Sequence, residues 1–556
     1  MARFGWEQRR AEIRGRGGRE GFFLLMVLVV VAVATLAVYS FTETMIVMDD
    51  AVHLESGLAQ STAAVHSAGS VMRVTLSQPR QQIDAAGGLY NNPNLFGRQW
   101  VAAESIGGPA VGFSVMATGI DEMGNAAGVR YGLTDLSGRL NVNSLIALDQ
   151  NSELIWESMT SGGDENEAAM VGENVAVSML MTLPSMTPEI ADAILDWIDE
   201  DDDPRDLGAE LETYAVLASP YEPANGPIDA IDDLLLVRGV TPTLLYGVDD
   251  NRNGVIDADE QLRSGVTVDT PGALGWASMM TAVSAESTIA PSGLPRVDVN
   301  AEDLEALLPR CNAVIDNPAV ASFVVAFRVS GQAAGEVRPN LGDSLGGPAA
   351  TVISGGLWDG SAIGSIDLTG GGEPIGQLLD LVGATVTVSD GGNQTQYDSP
   401  IPADPVLAAP LLASLFDAVM ATGVEPLPGR LNVNVCPPAM LSALPVLSVD
   451  QIDEIVRVRD PMSTDPIRRH AVWLWTEGIV SLEQMRALSP ILCGGGGVFE
   501  AQTIASEFGG GAFARWRIIL DATESPPRII GRQNLTHLGR GFDLSVLGMA
   551  AVPSSP

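Results

Sequence analysis

The chain has 556 residues. Because this is too long for a single ordinary hydrophobic core, we expect two or three compact units. Its 30 basic residues are all arginine and face 69 acidic residues, which gives a formal net charge of −39. This balance argues against nucleic acid as a partner, because an acidic surface repels phosphate. It suits solubility and the binding of Ca²⁺.

A basic leader and an apolar run open the chain. Six arginines precede Gly21, and residues 22–41 (FFLLMVLVVVAVATLAVYSF) are almost entirely apolar. At about 1.5 Å per residue the run spans about 30 Å, the thickness of the bilayer hydrocarbon. The basic flank predicts a cytoplasmic amino terminus and a single crossing. A cleaved secretory signal is the alternative, but no small-x-small cleavage site follows the run.

The helix is expected to continue beyond the membrane. No proline occurs between residues 22 and 78, and apolar residues recur at spacings of four and seven. These spacings predict one apolar stripe that packs on the following domain. The stripe consists of Val47, Leu54, Leu58, Val65 and Met72.

A six-residue phrase is repeated along the chain. Residues 138–143 (GRLNVN) recur as residues 429–434 and, more loosely, as residues 295–300 (PRVDVN). Residues 183–190 and 444–451 each combine a turn with a capped helix start. We interpret these segments as helix-hairpin-helix or SAM-like units. The acidic residues among them favour structural packing over contact with DNA.

Two acidic segments could bind cations. The first comprises Asp196, Asp199, Asp201, Asp202, Asp203 and Glu210, whose spacing fits no standard loop, so a solvated helix end and a second ion site both remain open. The second, residues 249–260 (DDNRNGVIDADE), fills every position of a calcium loop, with Gly254 at the sharp turn. It predicts Ca²⁺ bound by Asp249, Asn251, Asn253, the Val255 carbonyl, Asp257 and Glu260.

Residues 265–424 are rich in glycine, serine and alanine, and residues 323–327 (FVVAF) are expected to form a short strand. Residues 342–346 (GDSLG) match the nucleophile-elbow pattern, but no strand precedes and no helix follows them. His470 or His537 could act as a base only by coincidence of fold. The pattern therefore does not indicate an enzyme.

The three cysteines lie far apart without a CxxC pair, and buried free thiols are the simplest interpretation of Cys311, Cys436 and Cys493. Near the carboxyl end, residues 514–520 alternate between arginine and apolar side chains, which predicts a strand with one buried face. Residues 498–506 should complete an antiparallel hairpin with it.

The amino terminus resembles that of type IV pilin-type precursors. A basic leader ending in Gly21, an aromatic Phe22 and a long apolar helix are shared with this family. The resemblance implies that a prepilin peptidase cuts after Gly21 and that the new amino terminus is methylated. Glu20 stands where the family favours a basic residue, and Met26 stands where most pilins have Glu. Absence of that Glu is typical of K-type pseudopilins.

Residues 190–246 resemble the helical insert of general secretion pathway protein K. They share DWID followed by acidic residues, GAE, PY-x-P-x-N-G-P and L-x-x-VRGV, and the GRLNVN and THLGRGF phrases add to the likeness. The resemblance implies an α+β, pilin-like fold: a long transmembrane helix, a small antiparallel sheet and a large, mostly α-helical insert.

It also implies a function. The chain is expected to be a minor pseudopilin of the type II secretion system, anchored in the bacterial inner membrane with its bulk in the periplasm. It would cap or initiate the pseudopilus with I- and J-type minor pseudopilins. The alternative is a membrane-tethered helix-hairpin-helix DNA receptor of the competence type, which the acidic surface disfavours.

The expected domains follow in chain order: a leader (1–21), a transmembrane helix (22–42), an amphipathic helix with the first pilin strands (43–145), a helical insert with the calcium loop (146–264), a family-divergent insertion (265–425), a second helix-hairpin-helix-like repeat (426–490) and the carboxy-terminal pilin strands (491–556).

We predict that the mature chain begins at Phe22, because peptidase cleavage after Gly21 removes the basic leader. Mass spectrometry of protein from a host with an active prepilin peptidase should find residues 1–21 missing and one methyl group on Phe22. Recovery of the intact leader would count against the pilin-type assignment.

Overall fold

The computed structural model describes residues 17–102, 110–121, 125–152, 155, 174–267, 270, 272–333, 352–390, 393–421 and 429–550. Most of the expected leader, residues 1–16, lies outside the described residues, and so does the GDSLG pattern at residues 342–346.

The first helix, α1, runs without interruption from Gly17 to Leu76. From Phe22 onward it is long and apolar enough to cross a membrane, with a mean hydropathy of 2.8 in its most apolar stretch. The hydroxyl of Thr35 donates to the carbonyl of Val31, one turn back. This satisfies its donor inside the helix, as an apolar surrounding requires.

The remaining helices are short and are numbered in chain order. They are α2 (Arg80–Ala85), α3 (Pro93–Phe96), α4 (Leu145–Gln150), α5 (Val175–Met181), α6 (Pro188–Ile198), α7 (Leu211–Ala215), α8 (Pro242–Tyr246), α9 (Ala258–Ser264), α10 (Leu304–Val314), α11 (Pro318–Ser330), α12 (Pro405–Ala418), α13 (Pro438–Leu441), α14 (Val449–Val458), α15 (Trp473–Thr476) and α16 (Leu482–Leu488).

Within the described residues, the strands fall into one large sheet, one smaller sheet and three short pairs. They are β1 (Gln99–Ala102), β2 (Val111–Ile120), β3 (Ala126–Tyr131), β4 (Thr134–Asp135), β5 (Leu140–Asn141), β6 (Met280–Thr281), β7 (Val297–Asp298), β8 (Gly331–Gln332), β9 (Val352–Leu357), β10 (Thr385–Asp390), β11 (Asn393–Asp398), β12 (Val419–Met420), β13 (Leu431–Asn432), β14 (Leu492–Cys493), β15 (Val498–Glu507), β16 (Phe513–Asp521) and β17 (Arg528–Asn534).

The large sheet, here called the pilin sheet, joins the two ends of the chain. Its order is β1-β2-β15-β16-β17, with β3 on β2 and β4 on β15, and all of its pairs are antiparallel. Phe113 on β2 lies opposite Ala505 on β15. Everything between β4 and β15 is therefore an insert into this sheet, and we call it the helical insert. The predicted hairpin of residues 498–506 and 514–520 is confirmed as β15 and β16.

The carboxy-terminal half of α1 packs on the pilin sheet. Val65 and Met72 are buried there with Phe113, Ile518 and Leu520. The first half of the predicted stripe does not take part, since Val47, Leu54 and Leu58 are exposed. The helical periodicity was correct, but α1 reaches the sheet only at its later turns.

The helical insert contains three similar parallel strand pairs. Each begins at one copy of the repeated phrase: β5 pairs with β6, β7 with β12, and β13 with β14. The helix starts predicted after Thr187 and Ser448 are confirmed by α6 and α14. The helix-hairpin-helix interpretation stays a prediction.

The last asparagine of each phrase holds its unit together. The amide nitrogen of Asn143 donates to the carbonyls of Ile228, at 2.9 Å, and Ala282, at 2.8 Å. Its Oδ1 accepts from the N–H of Ile228 at 2.9 Å. The side chain of Asn143 thus connects the segment after β5 to the turn at Ile228 and to Ala282, the residue after β6.

Asn300 repeats this arrangement in the segment that was expected to be only an insertion. Its amide donates to the carbonyls of Ile375 and Ala421, and its Oδ1 accepts from the N–H of Ile375 at 2.8 Å. In the third unit Asn434 donates to Arg468 and Gly494, both at 2.8 Å. The loose third copy of the phrase is therefore structurally equivalent to the other two.

The expected strand at residues 323–327 is wrong, because these residues lie within α11. Asn317 caps the helix by accepting from Ala319 and Val320, and Pro318 occupies its first turn. The stretch is buried on nearly all sides, and periodicity cannot distinguish a buried helix from a buried strand.

We predict that Asn143→Ala destabilises the helical insert by about 2–3 kcal/mol, since three hydrogen bonds are lost and two carbonyls lose a donor. Thermal unfolding of the full chain in detergent micelles measures this. Asn151→Ala is the control, because the side chain of exposed Asn151 donates, within the described part of the chain, only to Ala147 in its own helix end. Equal effects of the two substitutions would contradict the role of Asn143.

Candidate functional site: an acidic loop and an acidic triad

The predicted calcium loop closes on itself around Asp249. One carboxylate oxygen of Asp249 accepts from the N–H of Asn253 at 3.0 Å, and the other accepts from Gly254 at 2.8 Å. Gly254 has a φ of +80°, a left-handed conformation that glycine adopts without strain. The first, fifth and sixth loop positions are thereby brought into contact.

The end of the loop folds back on its beginning. Glu260, in the first turn of α9, accepts from the N–H of Asn251 at 3.2 Å and from Asp257 at 2.9 Å. The N–H of Val255 donates to the Oδ1 of Asn253 at 2.8 Å. All six residues predicted as ligands therefore lie in one compact hydrogen-bonded loop.

Burial makes the negative charge of this loop costly. Asp249 is 7% exposed and Glu260 is 2% exposed. Burial, together with the charge of Glu260, raises the pKa of Asp249 to about 6. The Oδ1 of Asn251 is buried and has no hydrogen-bond partner in the part of the chain that the structure describes. Carboxylate and amide oxygens are the ligands that Ca²⁺ prefers, so these residues fit such an ion.

The second acidic segment forms a buried cluster, which we call the acidic triad: Asp196, Asp199 and Glu210. One carboxylate oxygen from each lies within 4.8 Å of the others. Asp196 is fully buried, so a solvated helix end describes only the exposed Asp201, Asp202 and Asp203.

Two neighbours position Asp196. The N–H of Ala209 donates to its Oδ2 at 2.7 Å, and Arg205 lies 3.2 Å from its Oδ1. Gly208 allows this approach, since a Cβ there would lie 1.8 Å from the Oδ2 of Asp196. The glycine of the GAE phrase therefore has a steric function.

No arginine among the described residues forms an ion pair with the carboxylate of Glu210. Glu210 is 4% exposed, and neither of its carboxylate oxygens has a hydrogen-bond partner. The pKa of Glu210 is raised to about 7, mainly by burial and also by repulsion from Asp196 and Asp199. Two unpartnered oxygens facing two further carboxylates form a cluster that a divalent cation would stabilise.

The arginines of the repeated phrases are engaged inside the protein. The Nη2 of Arg139 lies 3.1 Å from the Oε1 of Glu500. The Nη2 of Arg430 donates to the Oε2 of Glu286 at 2.6 Å. Neither guanidinium is available for phosphate. This disfavours the DNA-receptor alternative.

The residues considered for catalysis or disulfide formation have other environments. The Nε2 of His470 lies 2.7 Å from the Oδ1 of Asp417, and burial lowers the pKa of this imidazole. Cys311, Cys436 and Cys493 are buried free thiols, as expected. Burial raises the pKa of Cys311 to about 12, so this thiol is unreactive.

Sequence reasoning misplaced Arg515, which was expected on the open face of its strand. It is fully buried, and its Nε donates to the Oε1 of Gln502 at 2.9 Å. Burial lowers the pKa of Arg515 to about 10, against the opposing effect of nearby Asp249 and Asp257. The alternation correctly placed Arg515 on the face of β16 opposite the apolar side chains. It could not show that the loop of residues 249–260 covers this face.

Comparison with known proteins agrees with the resemblance. Residues 138–248 match the family described as type II secretion system (T2SS), protein K. No curated protein matches the chain. Among solved structures, a chain of the GspK-GspI-GspJ complex from the type 2 secretion system of enterotoxigenic Escherichia coli is similar, with 9% identity and a TM-score of 0.34, over 86% of this chain and 97% of that one.

The matched segment begins at the first repeated phrase and contains the acidic triad. It covers α4 to α8 and ends just before the calcium loop. This segment of the chain is therefore similar to protein K of the type II secretion system.

Proposed function

We propose that this chain is a minor pseudopilin of the type II secretion system and that it occupies the tip of the periplasmic pseudopilus, where it caps or initiates the filament with I- and J-type partners. The observation that supports this most directly is the helical insert, which leaves the pilin sheet after β4 and returns at β15. A domain of this bulk would obstruct a subunit stacked above it, but not at an end. The similar solved chain was crystallised with GspI and GspJ.

Met26 supports the same placement. In pilin-type filaments, Glu at mature position five pairs with the free amino terminus of the subunit above. An unpaired acidic residue at that depth costs about 2.5 kcal/mol or more on insertion scales. A subunit that enters first has no neighbour above it, so an apolar side chain is the stable choice.

The proposed location is the inner membrane. The apolar part of α1 would cross it once, with the leader in the cytoplasm and the pilin sheet and helical insert in the periplasm. Cleavage after Gly21 and methylation of Phe22 by the prepilin peptidase belong to this proposal.

We further propose that the helical insert binds two Ca²⁺ ions, one in the loop of residues 249–260 and one at the acidic triad. The buried carboxylates of Asp249 and Glu260 support the first site. The unpartnered oxygens of Glu210 support the second. Both ions would stabilise the fold, because they relieve repulsion between carboxylates that folding forces together.

Calcium titration of the full chain in detergent micelles should detect two ions. Asp249→Ala combined with Glu260→Ala should remove one, and Glu210→Gln should weaken the other. Chelation should lower the melting temperature, because an ion at 100 times its Kd adds about 2.7 kcal/mol to folding. Asp259→Ala is the control, since this exposed carboxylate is not a ligand position. An unmutated chain that binds no calcium would refute both sites.

The tip placement predicts one copy of this chain per complex with the I- and J-type partners. Quantitative mass spectrometry of the co-purified complex measures this ratio. Met26→Glu should leave the periplasmic part folded and give no gain in assembly. Labelling that found this chain repeated along the filament shaft would contradict the placement.

A further inference from the structure

The calcium loop does not lie free on the surface of the helical insert but contacts the pilin sheet. The amide nitrogen of Asn253 donates to the carbonyl of Gly541 at 2.6 Å. The carbonyl of Arg252 accepts from the Nε2 of Gln502 at 2.6 Å and from the Nη2 of Arg515 at 2.8 Å. Three hydrogen bonds therefore connect the middle of the loop to β15, β16 and the segment after β17.

The loop backbone also approaches the sheet closely. A Cβ on Gly254 would lie 2.2 Å from the Oγ1 of Thr118 on β2. The glycine at the sharp turn thus serves two purposes, since it adopts the positive φ and it lets the backbone reach the sheet. The ion site and the contact with the sheet share the same three consecutive residues, 252–254.

Asn253 is the residue on which the two functions meet. Its side-chain oxygen occupies the fifth ligand position, which aspartate and asparagine fill equally in calcium loops. Its side-chain nitrogen donates to Gly541 and, at 3.1 Å, to Asp257. Aspartate has no such donor, so the asparagine at this position is explained by the contact with the sheet.

Arg515 completes the charge balance. Asp249, Asp257 and Glu260 supply three negative charges, and a bound Ca²⁺ would compensate two of them. The buried guanidinium of Arg515, on the sheet side, supplies the third positive charge. Arg515 and the bound ion would thus together compensate the negative charge of the three loop carboxylates.

We propose that this loop couples calcium binding to the docking of the helical insert on the pilin sheet. The inference rests on the calcium site proposed above. A bound ion fixes the oxygen of Asn253 and thereby directs its nitrogen at Gly541. Docking in turn orders the loop for the ion, and thermodynamic linkage makes the two effects equal in size.

The test compares Asn253→Asp with Asn251→Asp in the full chain in detergent micelles. Each change adds one negative charge, and each removes an amide donor to the Oδ2 of Asp257. Only Asn253→Asp also removes the donor to Gly541. Among the described side-chain donor contacts, the two variants therefore differ in the hydrogen bond to Gly541.

Two measurements are made: calcium affinity by titration calorimetry, and hydrogen exchange of the peptide covering residues 535–549. Both variants should bind calcium. With calcium present, exchange in this peptide should be about tenfold faster in Asn253→Asp than in Asn251→Asp, since a hydrogen bond to a buried group is lost. In the unmutated chain, chelation should produce a similar acceleration.

Calcium binding without a difference in exchange between the variants would overturn the coupling and leave the calcium site intact. An unmutated chain that gives no calcium heat would overturn the site and the coupling together. Circular dichroism checks folding. If Asn253→Asp is unfolded, Gln502→Ala, which removes a donor to Arg252 from the sheet side, replaces it with the same expected acceleration.

Discussion

The pairing of β2 with β15 is the constraint on which the rest of the structure depends. These strands come from opposite ends of the chain, yet they lie side by side along six residue pairs. The helical insert must therefore leave and re-enter the sheet at neighbouring positions. The three asparagine-centred units meet this requirement, because each returns the chain to the strand from which it started.

Arginine has an unusual distribution in this protein. Arg328 is 5% exposed, and its Nη1 donates to the carbonyl of Val299 at 2.6 Å while its Nε donates to that of Glu373 at 2.6 Å. Arg515 similarly donates to the carbonyl of Arg252. A guanidinium has five donors in a fixed plane and can satisfy several buried carbonyls at once, which an ammonium cannot. With arginines used in this way inside, the surface is left strongly acidic.

Local patterns in the sequence predicted the local elements. Alternation identified β16, proline and serine caps located α6 and α14, and the ligand spacing of residues 249–260 matched a loop that does close on itself. Each of these signals acts over a few residues. The repeated phrase also identified three equivalent positions, although nothing in it indicated which distant carbonyls its asparagine would reach.

The failures concern contacts between distant segments. Residues 323–327 read as a strand because a helix buried on all sides shows no amphipathic period. The sequence left a solvated helix end and an ion site both open for Asp196 and Glu210, because their burial depends on the fold of the whole insert. Arg515 is covered by a loop more than two hundred residues earlier in the chain. No periodicity within a strand records such a neighbour.

The uninterrupted α1 helix has a mechanical consequence. Residues 42–56 are helical and exposed, and burial against the sheet begins only at Gly57. This stretch is about 22 Å long at 1.5 Å per residue. No proline interrupts the backbone hydrogen bonds of α1, so the helix has no kink at which it would bend. An axial displacement of its amino-terminal end is therefore transmitted along the helix. The displacement would reach the pilin sheet through Val65 and Met72, which pack on it. The helix is therefore a stiff connection between its apolar amino-terminal part and the pilin sheet.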